Sequence, residues 1–448
     1  MIKRAVRVTY IVDIVSITNN TMDMSIWIIF SVAKSSKIKL NIHTIKINDQ
    51  RVEFIKSNNT SDYDLRQIYW NNNDTWDEAN LFAYDLLVNE DLSLKTIKSY
   101  MFHLHAYAEW LENNNIDWKH FPEMRSERCL ILFRGDLIKK RNSLELQPST
   151  VTHRMRSVIK FYRWVKEKNL IDIDFPMWKD KNYTKKIVNR FGFENTLEIV
   201  YTDVSIPLVN QNNNIELEGG LFPISPREVP NIINVAKKHS SIELYLMLKL
   251  GFYTGMRIGT ICDLKVATLE NSILLKNKTM SIIHVGPNSS PPVNTKYSKD
   301  GAILIPTDLV HELIEYCYST RRLKRVVKAV DENSDLIFLT RNGGNYLNLD
   351  NKSINVAMHR LRVSGLKLGY DVFKFFHFHQ TRSTFATVLM EYCLKKMSAT
   401  NAIQLVKDAC MHKDEAVTFK YIKFLEKSKN LEKISNEYTN IFLGIENE

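Results

Sequence analysis

Apolar residues recur at intervals of three and four over two long stretches: Ile97, Met101, Leu104, Ala108 and Leu111, then Val151, Met155, Val158, Tyr162 and Val165. A period near 3.6 calls for an amphipathic helix packed along its apolar stripe, whereas a half-buried strand would alternate at every second residue. Composition agrees. The chain has 14 Gly and 11 Pro among 448 residues, well under the average usage of about 7% and 5%. A loop-rich sandwich needs more turn residues than that, so the fold is expected to be mainly α. The length predicts two or three domains, and 44% hydrophobic residues supply a core that a disordered chain lacks.

Residues 1–60 are poorly patterned, with β-branched runs such as Ile38–Ile47, and read as an amino-terminal extension of unassigned role. Helical periodicity begins after Asp62, and 61–182 is expected to be one helical domain. In it, Pro148-Ser149-Thr150 offers hydroxyls to cap the helix of the second stripe. Periodicity is lost from Tyr183, and 183–224, with the polar run 210–220, reads as a linker with some extended structure. From Ser225 helices resume: Ser225-Pro226 looks like a helix start, Ile242–Tyr253 is a strongly apolar helix stopped by Gly255, and Thr307–Val330 reads as one helix. Between them Ser281–Val285 and Ala302–Pro306 read as the strands of a long hairpin. Domain 225–448 is therefore mixed α and β with a small antiparallel sheet.

The charge of +11 suits a polyanion such as nucleic acid. Residues 151–190 hold eleven Lys or Arg against four acids. Arg156, Lys160 and Arg163 fall on one helical face off the apolar stripe, and Arg154 lies beside them in sequence. A solvated basic face is the plainer account of that pattern, and phosphate contact the sharper one. Five scattered cysteines with no CxxC pair argue against a disulfide framework and a zinc knuckle. The run 25–33 is too short to span a membrane and the amino terminus lacks a signal-peptide pattern. A soluble, cytoplasmic protein is expected.

Four clusters carry chemistry. In Thr254-Gly255-Met256-Arg257 an Arg follows a helix-ending Gly, where its fork of donors suits two phosphate oxygens. In the hairpin loop Asn294–Asp300, Lys296 or Lys299 can reach a neighbouring site and donate a proton. His379-Gln380-Thr381-Arg382 sets His379 and Arg382 three apart at a helix start, where both can face one anion. Last, His412 is followed nine residues later by Tyr421. Taken singly each has a plainer role, as a capping, solvated or packing residue. His377, His379, Cys410 and His412 lack the ligand spacing of a zinc site.

As an ordered set, the clusters resemble the tyrosine recombinases, or phage integrases. The family signature of TGLR, a hairpin Lys, HxxR followed by TFAT, and LGH with a Tyr nine residues on is similar to TGMR, TK, HQTR-STFAT, CMH and Tyr421 here. Segments 96–111 and 149–164 resemble the family's helical core-binding (SAM-like) domain. Three positions depart from the pattern. Thr260 stands where an acid is usual, Ser383 where His is usual, and Met411 where Gly normally precedes the last His.

The resemblance implies a site-specific recombinase acting on double-stranded DNA through a covalent 3′-phosphotyrosine, with no metal or nucleotide cofactor. Arg257, Lys296, His379, Arg382 and His412 would assist the nucleophile Tyr421, and Arg154, Arg156, Lys160 and Arg163 would contact DNA. It further implies a homotetramer on DNA, a tail (Leu425–Phe442) docked on a neighbouring protomer, and possible accessory recombinases or directionality factors. Integration or excision of a mobile element, with nucleoid association in a bacterium, would be its setting. A type IB topoisomerase-like activity and a DNA-binding protein with a decayed site are the alternatives.

Overall fold

Both apolar stripes are buried helices in the computed structural model, which describes residues 12–14, 33–48, 51–56, 63–90, 92–172, 175–188, 194–207, 217, 221–276, 278–347 and 352–428. The chain divides into two compact units, 1–211 and 212–448.

The first unit opens with an antiparallel sheet. The long β2 (Lys34–Asn48) pairs with β1 (Val12–Ile14), β3 (Arg51–Lys56) and β4 (Tyr63–Tyr69). The β-branched runs that looked unpatterned in sequence are thus strands, as their side chains favour. Helices α1 (Asp77–Val88), α2 (Leu94–Asn113), α3 (Cys129–Asn142) and α4 (Pro148–Glu167) follow. Ser93 caps α2 by accepting the Thr96 N–H. The helix α4 starts at Pro148 itself, so Ser149 and Thr150 are inside it and make no cap. Every stripe residue of α2 and α4 is at most 1% exposed. They enclose an aromatic core in which Trp76 meets Phe161 edge to face with centroids 5.2 Å apart, and the Tyr107 and Tyr162 hydroxyls bond at 2.9 Å. The expected linker begins inside a hairpin, β5 (Asp180–Val188) against β6 (Glu194–Thr202). That hairpin is extended structure of the kind expected where helical period is lost.

The second unit is built on α6 (Ile242–Thr254), which follows α5 (Val229–His239). Residues 226–228 form a separate 3-10 turn before α5, so the Ser225-Pro226 start serves that turn. The helix α6 is apolar nearly all round because it is buried nearly all round. Short helices α7 (Ile258–Asp263) and α8 (Val266–Glu270) lead to the sheet β7 (Ile273–Leu274), β8 (Met280–Val285) and β9 (Gly301–Pro306), antiparallel in that order. The predicted hairpin is therefore present. The segment expected as one helix from Thr307 is two, α9 (Thr307–Cys317) and α10 (Thr320–Val326), because Ser319 leaves the helix and caps the second by accepting the Arg322 N–H. Then come α11 (Ser353–Lys367), α12 (Gln380–Lys396), α13 (Ala399–Ala409) and a helix over 415–428. Packing of α12 on α6 is close: a Cβ at Gly251 would collide with the Thr381 hydroxyl. Architecture is mainly α with small antiparallel sheets.

One buried carboxylate fastens α6 to the α9–α10 pair. Glu243, 1% exposed, accepts from Arg321 Nε at 2.7 Å and Tyr316 at 3.1 Å, with Arg325 Nη2 2.9 Å away. Burial alone would raise its pKa, but the Arg321 bond and the Arg325 charge outweigh that and hold it below the ordinary 4.5. A carboxylate depressed on folding stabilises the protein above its unfolded pKa and loses that contribution as pH falls through the folded one. Replacing Glu243 by Ala leaves the mostly buried Arg325 guanidinium without its carboxylate, and should lower unfolding free energy by about 3 kcal/mol at pH 7. The same comparison below pH 4 should show a smaller difference between the two proteins in denaturant titrations.

Candidate active site

Two helix ends meet over one arginine. The first belongs to α6, which stops where Gly255 turns left-handed at φ 65°. Glycine is required there twice over, since a Cβ would also strike the Phe385 ring. Two residues later Arg257 stands at the N-cap of α7, half-buried.

The second end is that of α13. Met411 N–H bonds to Asp408 O at 3.0 Å and His412 N–H to Lys407 O at 2.9 Å, the paired bonds of a Schellman turn. Such a turn needs a left-handed residue, normally Gly, and Met411 supplies it at φ 51°. Its side chain is 8% exposed and packs on Gly301 at the start of β9.

Arg382, in the first turn of α12 and 2% exposed, joins the two ends: Nη1 donates to Gly255 O at 2.6 Å and Nη2 to Cys410 O at 2.5 Å. Arg257 Nη1 makes a long 3.5 Å bond to Met411 O, and Lys299 Nζ donates to His412 O at 3.0 Å. Three successive carbonyls, 410, 411 and 412, each receive a different cationic side chain. They lie at the carboxyl end of α13, where the helix dipole is negative.

Beside this turn the His412 ring is fully buried, with Nδ1 2.8 Å from Thr418 Oγ1. It stacks on the equally buried Tyr421, centroids 5.9 Å apart and planes within 7°. His379 occupies the N-cap position of α12, half-buried, three residues before Arg382. The geometry therefore gathers Arg257, Arg382, His412, Tyr421 and Lys299. Lys296 is not in the group. Left-handed backbone at Tyr297 and Ser298 turns the chain between the two lysines. Lys296 is left exposed, its ammonium 5.1 Å over the exposed Tyr297 ring, which Lys413 also approaches at 5.3 Å.

The basic residues of α4 fall into two groups. Arg156, Lys160 and Arg163 line one groove with Tyr100 and Tyr201. In it Lys160 pairs with Glu90 at 2.7 Å and Arg163 lies 3.6 Å from Asp180. Arg154 does not share that groove: it is half-buried, its pKa lowered first by burial, with the charges of Glu109 and Asp136 opposing the shift. Its neighbour His103 is held at about 4, chiefly by burial and then by the Arg154 charge. Among the described residues no three His, Cys, Asp or Glu cluster as metal ligands would, and no helix is long and apolar enough to cross a membrane.

Residues 223–427 match the family model described as the phage integrase family. The second unit is a phage integrase family domain. The match spans 205 of the 448 residues, all of them in the second unit. No curated protein matches the sequence. Similar solved structures include a XerA recombinase, at 16% identity over 80% of this chain and 98% of that one, with a TM-score of 0.32. Others are the Tn1549 transposon integrase in complex with circular intermediate DNA (15%, 77% and 94%, 0.44) and a lambda integrase dimer bound to a COC′ core site (13%, 77% and 94%, 0.44).

Sequence reasoning did not single out Thr418 or Asp263, and ranked Lys299 second. Thr418 carried no signal beyond lying between His412 and Tyr421. For Asp263 the available clue was its being the first acid after Arg257. Met411 yields a direct test. At ordinary positions Ala is more stable than Gly by about 0.5–1 kcal/mol, but a left-handed residue with a Cβ is penalised by about 1–2 kcal/mol. Both Met411→Gly and Met411→Ala lose the buried side chain, so Met411→Gly should be the more stable of the two by about 1 kcal/mol. Denaturant midpoints in the usual order, Ala above Gly, would contradict the strained turn.

Proposed function

We propose that this recombinase cuts and rejoins duplex DNA at a specific site through a covalent bond between Tyr421 and a 3′ phosphate, integrating or excising a mobile element. The convergence of Arg382, Arg257 and Lys299 on carbonyls 410–412, next to the His412–Tyr421 stack, carries this reading. Backbone oxygens offer partial negative charge. A scissile phosphate offers full charge on its two non-bridging oxygens, so the same donors have a stronger acceptor to turn to.

Attack on a phosphodiester concentrates negative charge on those oxygens, and fixed cations there are the main source of rate. Arg257 and Arg382 clamp them, and His412 adds a ring donor whose orientation Thr418 holds. A phenol titrates near ~10, so its proton must go elsewhere as the new O–P bond forms; His379 takes it. The P–O5′ bond breaks as Lys299 gives its proton to the departing 5′ oxygen. The 3.0 Å bond of Lys299 to the His412 carbonyl supports that choice over Lys296. Energy of the broken bond is kept in the phosphotyrosine, and reversal with a different 5′ hydroxyl joins new strands. With Tyr421 fully buried beside His412, the nucleophile is sheltered from solvent.

Arg156, Lys160 and Arg163 supply sequence-independent phosphate contacts from the first unit, and a homotetramer brings two duplexes together. The decisive experiment incubates the full chain with nicked duplexes from the flanks of its own gene and denatures the products in SDS. A slow, protease-sensitive band is expected with wild type and not with Tyr421→Phe. Arg257→Ala should form it ~10²–10³-fold more slowly. A band that survives Tyr421→Phe, or relaxation of any supercoiled plasmid without site preference, would contradict the reading.

A further inference from the structure

The loop that carries Lys299 is held at its root by a carboxylate no motif includes. Asp263, the last residue of α7, is 6% exposed. Its Oδ2 accepts the Asn294 N–H at 2.7 Å and also the Lys265 ammonium at 2.9 Å. The loop is closed on its other side by Val293 N–H to Gly286 O at 2.9 Å and by Asp300, which accepts the backbone and side-chain N–H groups of Asn288 at 3.0 and 2.8 Å. Between these anchors Thr295 Oγ1 donates to Lys299 O at 2.6 Å, and Lys299 Nζ reaches His412 O. Asp263 therefore sits one backbone bond away from the segment whose end is the lysine.

We propose that Asp263 is a positioning residue for the DNA-cleavage step: by fixing Asn294 it sets the reach of the Lys299 ammonium toward the leaving 5′ oxygen. This rests on the function proposed above. Two observations carry it. A buried carboxylate is expensive unless its oxygens are bonded, and this one accepts from the Lys265 ammonium and from the backbone N–H of Asn294, a residue outside any strand or helix. The helix it terminates is the six-residue α7, whose N-cap is Arg257. One short rigid element thus fixes both the Arg that faces the non-bridging oxygens and the loop whose lysine faces the leaving oxygen. Asp263 is the only carboxylate in α7.

The two roles separate chemically. A lysine that only donates to the leaving group is dispensable when that oxygen is replaced by sulfur, since a thiolate departs without a proton. Single-turnover cleavage is measured on the duplex that gives the wild-type covalent band, with oxygen or sulfur at the scissile 5′ position. Asp263→Ala should slow the oxygen substrate ~10²-fold and the sulfur substrate by less than about threefold, the pattern also expected of Lys299→Ala. Asp263→Asn, whose amide oxygen still accepts the Asn294 N–H, should recover to within roughly tenfold of wild type on oxygen. Without DNA, amide exchange across 294–299 should rise in Asp263→Ala while α6 and α12 stay protected. Equal loss on both substrates, no loss on either, or unchanged exchange in the loop would overturn the proposal. Failure of the underlying function shows separately, as absence of any wild-type covalent band with the exchange result intact.

Discussion

The bonds from buried Arg382 to Gly255 O and Cys410 O are the joint on which the catalytic unit turns. A guanidinium is always charged, and its desolvation is costly unless its donors are directed at oxygens. Here two helix ends provide the oxygens, because the last carbonyls of a helix lack intrahelical partners. The cation that the interior could not otherwise accept and the carbonyls that the helices could not otherwise satisfy answer each other. In doing so they fix α6, α12 and α13 at one point.

Three of the candidate site residues hang from that joint by short connections. Arg257 is two residues beyond Gly255; His412 is two residues beyond Cys410; Lys299 is tied to the His412 carbonyl through its side chain. With connections this short, the cations have little freedom before a phosphate appears, and preorganisation of that kind is what electrostatic catalysis requires. The Schellman turn matters as much as the charges. It aims carbonyls 410–412 outward from α13, and its left-handed residue is a strained Met411 whose side chain is kept by packing on Gly301.

Much of this was legible in the sequence. The stripes of α2 and α4 were readable because burial there follows helical period alone, and TGMR, HQTR, CMH and Tyr421 named four residues, Arg257, Arg382, His412 and Tyr421, that the fold brings together. What stayed hidden depends on contacts between distant segments or on single backbone angles. Lys296 and Lys299 differ by three residues in a loop of irregular φ, and no pattern tells which one meets residue 412. Arg154 belongs to the same basic run as Arg156 yet is half-buried, because a shift of two residues on a helix turns a side chain by more than a right angle. The break at Ser319 rests on one capping serine, with no Gly or Pro in 307–330 to mark it. Strands β2 to β4 escaped notice because a sheet is stabilised by pairing across the chain and not by local period.

The central claim is that the three-cation turn presents a phosphate to Tyr421 and to no other tyrosine. It is tested most directly by trapping the covalent complex, digesting the DNA and then the protein, and sequencing the modified peptide by mass spectrometry. The account predicts one nucleotide added through its 3′ phosphate to the peptide that contains Tyr421. An adduct on a different residue, or linkage through a 5′ phosphate, would contradict it.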